Sequence, residues 1–541
     1  MPARALLLVL ALGWAQALAA GSAGLELAVW QQGRTQLLLG GPGDISTLTT
    51  PLGSLWKLYV HAWLVDTAAA DAPYRCRGGV REEVYCCEVG EEIHRDQALV
   101  RSCGLYYEAR RAEIDRADWS SYWRARHAPD WLVALDELQP GTQVPVDTLL
   151  ATLADLPAQV ELRRVLLDVS VTARDPAVIG HLGGVLRAKT WSWRDPLDPA
   201  RRIGGFAGWL VDGTPVWARA AGSSQQVLSK HALALAAALR PAQSLDAGEC
   251  VDVRLFARYP IRRVLQNGRG VRPGALQGRY TVEFANGNTL DISSLGETFL
   301  AQSGGVPELH ARISREDYVA RVIDREADAR QTEAARALAV AIRSYLKQNA
   351  GHQGSCLTMQ DSSAQQRVAP RPASPAARAV AASTADLILA DVPVRYHLDQ
   401  SADGQLNWTA AQARAAQGAR FDQILREVWP RGSLSRWDGA SASCRRLEQA
   451  AEWLKRSLSG WRARLDQEPG YAPTREFDVC LLRYGRPYVD RERRRLYVRG
   501  LQSLQDRLDL THEYLHLAFS AHPNGLREDY IEGLAQTLLL E

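Results

Sequence analysis

The chain has 541 residues, of which 64 are Lys or Arg and 61 are Asp or Glu. Charges this closely balanced, without a basic block, do not form a surface that follows a phosphate backbone, so nucleic acid is excluded as a partner. At about 150 residues per domain, the length predicts three or four domains.

The N-terminus has the pattern of a secretory signal peptide. Arg4 supplies a positive charge, the run Ala5–Leu12 is apolar, and Ala17-Leu18-Ala19 offers a small-x-small cleavage pattern. A membrane anchor is the alternative, but the run is shorter than the ~18–20 residues that a span needs. We therefore predict that residues 1–20 direct export to the periplasm and that the mature chain has no membrane span.

The cysteine content fits an exported protein. An even number of cysteines, eight, favours disulfides outside the cytoplasm. Four of them lie within residues 76–103, which predicts a locally cross-linked loop whose pairing stays open. A metal role for this cluster is the alternative, but no paired CxxC spacing supports it.

Two changes of pattern divide the mature chain. A helical segment, Ser229–Leu239, gives way to the alternating segment Val251–Leu255, and a helical run, Cys444–Leu465, follows the second change. We predict a multidomain protein of mixed α/β and α+β class, with domains at 21–243, 244–436 and 437–541.

The sharpest motif is His512-Glu513-Tyr514-Leu515-His516, in a segment with helical apolar spacing. On a helix, residues i and i+4 share a face, so both imidazoles can reach one ion. Glu513 would then lie where a carboxylate can take a proton from a bound water and pass it to a leaving amine. The motif predicts a catalytic Zn²⁺ site, and two solvated histidines on an amphipathic helix are the alternative.

A catalytic zinc site needs a third protein ligand and one open position. A second predicted helix, Leu526–Leu540, carries Glu532 in the sequence Ile531-Glu532-Gly533-Leu534-Ala535, and strand-like segments, Phe477–Leu482 and Arg495–Val498, precede the motif. This layout resembles the gluzincin metallopeptidases. The resemblance implies a small α+β domain in which Glu532 completes the ligand set with His512 and His516.

Two other residues compete for the third position. Glu528 lies one turn before Glu532 on the same face, and His522 has the spacing of the third histidine of metzincins. Metzincins place a Gly midway between their second and third histidines, which allows a sharp turn. Phe519 occupies that position here and argues against His522.

Residues 244–436 contain a series of motifs in a fixed order: Glu316-Asp317-Tyr318, Val322-Ile323, Glu326, Glu333-Ala334, Ala339-Val340-Ala341, Arg343-Ser344-Tyr345, Asp361-Ser362-Ser363 and Phe421-Asp422-Gln423-Ile424-Leu425. The series resembles the SpoIID/LytB (amidase-enhancer) family. The resemblance implies an α+β module in which Glu326 is the acid/base of a lytic transglycosylase. The family's F-H-S-x-x-G-G segment becomes Tyr396-His397-Leu398-Asp399-Gln400, so a module that only binds glycan is the alternative.

The N-terminal part opens with Ser54-Leu55-Trp56-Lys57. Ser and Lys three apart on a helix face each other, so a desolvated Lys57 could deprotonate Ser54. Ser102-Cys103-Gly104 follows, and Lys189-Thr190-Trp191 then precedes a strand-like run, Phe206–Val216.

This order resembles the S-x-x-K, S-x-N and K-T-G motifs of penicillin-binding proteins and serine β-lactamases. The resemblance implies a transpeptidase-like α/β domain with a site made by Ser54, Lys57, Ser102 and Lys189. Gly104 replaces the family's Asn and Trp191 replaces a Gly beside which substrate lies, so a degenerate wall- or partner-binding domain is the alternative.

As a whole, the chain resembles a periplasmic family encoded beside bacterial α2-macroglobulins. We interpret it as a cell-envelope protein that processes peptidoglycan, with a zinc-dependent peptidase site whose substrate is a wall peptide or a protein. One alternative is a non-catalytic scaffold that binds peptidoglycan and recruits a wall synthase or an α2-macroglobulin. Another is a serine acyl-enzyme that binds penicillin through Ser54.

Overall fold

The computed structural model describes residues 24–540, except 42–46, 79, 81, 84–85, 88–91, 196–197, 199, 241–248, 391, 398–403, 431, 439–445, 475, 482–486 and 492–493. The predicted signal peptide and the predicted boundary at residue 243 lie outside the described residues. Among the described helices, none combines the length and the apolar character that a bilayer crossing requires.

The chain divides into two compact units. The first comprises Met1–Trp63, Arg116–Trp429 and Leu434–Gly439, and the second comprises Leu64–Asp115, Pro430–Ser433 and Ala440–Glu541. Both mix helices and strands, so the protein is multidomain and of mixed α/β class. The predicted division into three domains stays a prediction.

A five-stranded antiparallel sheet forms one part of the first unit. Its strands lie in the order Arg34–Leu39, Glu26–Gln31, Pro215–Ala221, Arg202–Leu210 and Leu186–Arg194. The helix Ser224–Ala238 buries Val227 and Leu235 in the core that covers this sheet. The single strand predicted over Phe206–Val216 is wrong, because Gly213 makes a turn with a φ of +92° and divides the segment into a hairpin.

An eight-stranded sheet forms the other part of the first unit. Its strands lie in the order Arg269–Gly270, Ile261–Gln266, Gly274–Phe284, Thr289–Ser303, Val306–Ser314, Cys250–Leu255, Cys356–Gln360 and Gly351–Gln353. The strand predicted at Val251–Leu255 is confirmed. The Ala-rich helix Thr332–Asn349 is buried almost all round, as expected of a helix in the middle of a core.

The remaining elements of the first unit surround these sheets. Its other helices are Trp56–Asp66, Arg116–Arg124, Asp130–Val133, Val146–Ala154, Gln159–Val171, Pro176–Leu182, Arg315–Glu326, Pro375–Ser383, Trp408–Ala416 and Phe421–Val428. Short strand pairs join Thr49–Pro51 to Gln143–Pro145, Leu387–Ala390 to Ser433–Arg436, and Arg395–His397 to Gln405–Asn407.

The second unit contains a three-stranded sheet and three long helices. The strands lie in the order Asp478–Leu481, Arg495–Val498 and Tyr488–Asp490, and the helices are Glu448–Leu465, Leu504–Ala518 and Glu528–Leu540. The unit also contains the helix Arg95–Arg101 and the paired strands Tyr74–Arg75 and Glu92–Ile93. The two strands and the two C-terminal helices predicted from the sequence are confirmed, although Pro523–Leu526 is a separate 3-10 turn.

Disulfides cross-link both units. Cys76 pairs with Cys87 and Cys86 pairs with Cys103, so the predicted locally cross-linked loop is confirmed in the second unit. In the first unit, Cys250 pairs with Cys356 across two parallel strands of the eight-stranded sheet. Such cross-links are typical of proteins that fold outside the reducing cytoplasm.

Candidate functional site

The HExxH motif lies on the helix Leu504–Ala518, which we call the motif helix. Ser503 caps its N-terminus, because the Ser503 hydroxyl accepts a hydrogen bond from the backbone N–H of Asp506. Leu510, Tyr514 and Leu517 belong to the apolar core of the unit and fix the rotation of the helix. This rotation places His512 and His516 together, with their Nε2 atoms 2.9 Å apart.

The other ring nitrogen of each histidine has a hydrogen-bond acceptor. His516 Nδ1 lies 2.8 Å from the carbonyl oxygen of Gly525, and His512 Nδ1 lies 3.0 Å from a carboxylate oxygen of Glu532. A carbonyl or a carboxylate can only accept, so both Nδ1 atoms carry the proton. The two Nε2 atoms then face each other, and a metal ion between them would use the lone pairs of both rings.

The carboxylate that lies beside both Nε2 atoms belongs to Glu528. Its oxygens are 3.2 Å from Nε2 of His512 and 3.4 Å from Nε2 of His516. Ligand atoms of these three residues all lie within 4.8 Å of one another. The predicted third ligand, Glu532, contacts instead the Nδ1 side of His512, so the structure changes the candidate ligand set to His512, His516 and Glu528.

Glu532 has the position of an outer partner of a metal-bound histidine. One of its oxygens accepts the proton of His512 Nδ1, and the other accepts a hydrogen bond of 2.8 Å from Gln536 Nε2. Such partners fix the tautomer and the orientation of a ligating ring. The remaining alternative, His522, caps the 3-10 turn Pro523–Leu526 by accepting from the backbone N–H of Asn524.

Glu513 lies beside the histidine pair and is largely buried. Burial, and after it the negative charges of Glu528 and Asp509, raises the pKa of Glu513 to about 8, and the charge of Arg491 opposes this rise. The carboxyl is therefore poised to exchange a proton near neutral pH, as a general acid/base requires.

The structure also brings together Ser54, Lys57 and Lys189 in the first unit. Ser54 lies in the 3-10 turn Gly53–Leu55, and Lys57 Nζ donates a 3.1 Å hydrogen bond to its Oγ. Burial lowers the pKa of Lys57 to about 8. Lys189 is fully buried, and its pKa lies well below the usual range because of that burial and the neighbouring charge of Lys57.

Two other residues bear on the predicted serine site, Ser102 and Trp191. Ser102 belongs to the second unit, where it ends the helix Arg95–Arg101 with a φ of +66°. Trp191 is buried beside the serine turn, and a Cβ on Gly53 would lie 3.1 Å from Cβ of Trp191. The indole therefore packs against Gly53, the residue before Ser54, at a position where the K-T-G motif has a glycine without a side chain.

Glu326 ends the helix Arg315–Glu326, and only 7% of its side chain is exposed. One carboxylate oxygen accepts from the backbone N–H of Arg367 at 2.9 Å, and the other accepts from the Tyr396 hydroxyl at 2.8 Å. Burial raises the pKa of Glu326 despite these hydrogen bonds. Because both oxygens are engaged within the protein, this geometry favours a structural role for Glu326.

A family model described as "Predicted secreted protein (DUF2300)" matches residues 78–200 and 404–524. "Uncharacterized protein YfaQ" of Escherichia coli (strain K12) is 50% identical over 497 residues, which cover 92% of this chain and 90% of that protein. The chain belongs to this family of predicted secreted proteins. The prediction of an exported protein is thereby confirmed.

Part of the chain is also similar to solved β-lactamases. A class D β-lactamase from Bacillus subtilis matches with a TM-score of 0.30 and 15% identity over 40% of this chain and 92% of that one. A class D β-lactamase from Sebaldella termitidis matches with a TM-score of 0.26 and 12% identity over 36% of this chain and 79% of that one. Scores this low do not by themselves establish a shared fold.

The contacts of Glu532 and of the Gly525 carbonyl with the outer ring nitrogens were not predicted from the sequence. Glu528 and Glu532 lie one helical turn apart, so helical spacing alone places both on the face that could meet the histidines. The Gly525 carbonyl belongs to the backbone, so no side-chain pattern in the sequence indicates its role. Tyr396 stands where the family's F-H-S-x-x-G-G segment has a Phe. Its hydroxyl donates a hydrogen bond to Glu326, which a Phe could not do.

Proposed function

We propose that this secreted protein is a zinc-dependent peptidase whose site lies in the second unit. The observation that carries the proposal is the pair of Nε2 atoms 2.9 Å apart, while Nδ1 of each ring faces a hydrogen-bond acceptor, Glu532 or the Gly525 carbonyl. Two imidazoles and the carboxylate of Glu528 are a donor set that suits Zn²⁺ and leaves a fourth position open.

Zinc would supply a polarised water with a lowered pKa and a Lewis acid for a peptide carbonyl. His512, His516 and Glu528 would hold the ion, and Glu532 and the Gly525 carbonyl would keep the two rings in the required tautomer. Glu513 would accept a proton from water on the attack step and pass it to the leaving amine. A divalent cation beside it would lower its pKa and favour the basic form.

Peptides of the cell wall are the proposed substrate class, since the first unit resembles two wall-processing families. The test is a cleavage screen of soluble wall fragments and of unfolded proteins with the zinc-loaded mature chain. Cleavage that stops on chelation and returns with added zinc supports the proposal. A chain that holds zinc but cleaves neither class contradicts it.

The assignment of Glu528 as ligand and Glu532 as outer partner predicts that zinc binding weakens more when Glu528 is substituted than when Glu532 is substituted. Loss of an outer partner of a metal-bound histidine costs about 10–100-fold in affinity, so Glu532→Ala should weaken zinc binding by that amount. Glu528→Ala should weaken it more, because a direct ligand is lost. Competition with a chelator dye measures both, and Asp529→Ala, on the same helix beside Arg527, is the matched control. The reverse order would restore Glu532 as the ligand.

A second candidate function is a serine acyl-enzyme. The 3.1 Å hydrogen bond from Lys57 Nζ to Ser54 Oγ favours it, because a buried lysine with a lowered pKa can take the proton of an attacking hydroxyl. The scaffold interpretation, with recruitment of a wall synthase or an α2-macroglobulin, is favoured instead by Trp191, which fills the space beside Ser54.

Covalent labelling with a fluorescent penicillin separates these two interpretations of the first unit. If Ser54 is a nucleophile, labelling should rise as the pH increases through about 8, because Lys57 is a base only when it is neutral. Ser54→Ala should abolish labelling, whereas the exposed Ser121→Ala should not change it. Absence of labelling at high pH would exclude penicillin binding and favour the scaffold.

A further inference from the structure

The charges close to the candidate catalytic carboxyl are mostly negative. The groups that act on Glu513 are the carboxylates of Glu528 and Asp509 and, with opposite sign, the guanidinium of Arg491. An anionic substrate that approached the acidic groups alone would be repelled. Besides the proposed metal ion, Arg491 is the cationic side chain of this set that can attract an anion.

Arg491 is exposed but held in place. It follows the strand Tyr488–Asp490, which lies at the edge of the three-stranded sheet. Its NH2 group donates a 3.0 Å hydrogen bond to the carbonyl oxygen of Gly525, the same oxygen that lies 2.8 Å from Nδ1 of His516. One shared carbonyl thus fixes both the guanidinium and a candidate metal ligand.

Two neighbouring arginines have carboxylate partners. Arg527 pairs with Asp529 at 2.9 Å, and Arg494 pairs with Glu476 at 3.7 Å. Among the side chains that the structure describes, which exclude those of residues 490, 492 and 493, no ion pair joins Arg491 to a carboxylate. A guanidinium has five N–H donors in a fork that matches a carboxylate, and the bond to Gly525 uses only one NH2 group.

We infer that Arg491 binds a carboxylate of the peptide substrate next to the scissile bond and makes the site selective for peptides with a free C-terminal carboxylate. The inference rests on the proposed peptidase function and names the substrate class of that same site. The guanidinium would pair with that carboxylate and orient the peptide end, because charge-assisted pairs with Arg are directional.

The test compares two random hexapeptide libraries that differ only in a free or an amidated C-terminus. We expect the zinc-loaded chain to cleave the free library about tenfold faster or more, as a hydrogen bond to a charged group implies. Arg491→Gln should remove that preference, and Arg491→Lys should restore part of it. Arg494→Gln, an exposed arginine near the same sheet, is the matched control.

Two further readouts separate this inference from the proposed function. Zinc content should be equal in the wild-type chain and Arg491→Gln, and the inactive Glu513→Gln variant should bind the free library more tightly than the amidated one. Equal cleavage and binding of both libraries would overturn the role of Arg491 and leave the peptidase intact. Bound zinc without cleavage of either library would overturn both.

Discussion

Glu513→Gln is expected to abolish most peptidase activity while zinc stays bound. Glutamine keeps the shape of the side chain but cannot accept the proton of an attacking water. Loss of a general acid/base costs on the order of 10²–10⁴-fold in rate. The candidate ligands are His512, His516 and Glu528, and the substitution of Glu513 leaves all three in place.

The rate should be measured with the peptide that the wild-type chain cleaves fastest, beside zinc content by elemental analysis. Asp509→Asn is the matched control, because it removes a nearby carboxylate on the same helix that does not lie in the ligand group. Activity of Glu513→Gln close to that of the wild type, with zinc bound, would contradict the assigned role of Glu513.

Glu316→Gln is expected to destabilise the first unit strongly. Glu316 forms a two-fold ion pair with Arg343, with distances of 3.0 Å to Nε and 2.6 Å to NH2, and both side chains are almost fully buried. Its Oε1 also lies 3.2 Å from Nε of Arg315. Removing this charge deprives the buried Arg343 guanidinium of the carboxylate that it hydrogen-bonds, which costs about 3–5 kcal/mol.

Urea unfolding of the wild-type and variant chains, followed by tryptophan fluorescence, measures this loss. Glu283→Gln is the matched control, because Glu283 pairs with Arg263 on the exposed face of the same unit and should shift the midpoint far less. Equal shifts for the two variants would show that the Glu316–Arg343 pair is not energetically distinct from a surface pair.

Local periodicity predicted the elements that carry the candidate sites. Apolar spacing predicted the motif helix, the strand Arg495–Val498 and the helix that carries Glu532. Apolar residues of these elements pack in the core of the second unit. The hairpin over residues 202–221 was missed although Asp212-Gly213 is a strong turn signal, because the apolar run across it was given more weight.

Long-range partners could not be predicted from a single sequence. Arg187 and Asp386 form an ion pair at 3.1 Å, yet nothing in the spacing of the chain joins them. The choice of the candidate third metal ligand also depends on tertiary packing. Which of two acidic residues one turn apart reaches the histidine pair depends on where the 3-10 turn Pro523–Leu526 starts the last helix, and that is a property of the packed unit.

The zinc content of the purified mature chain, beside a His516→Ala variant, tests the central claim most directly. The account predicts about one zinc per chain in the wild type. It also predicts loss of that zinc in the variant, whose remaining imidazole and carboxylate cannot form the site. A folded wild-type chain that takes up no zinc, even after reconstitution, would contradict the account and show that the histidine pair shares a proton instead.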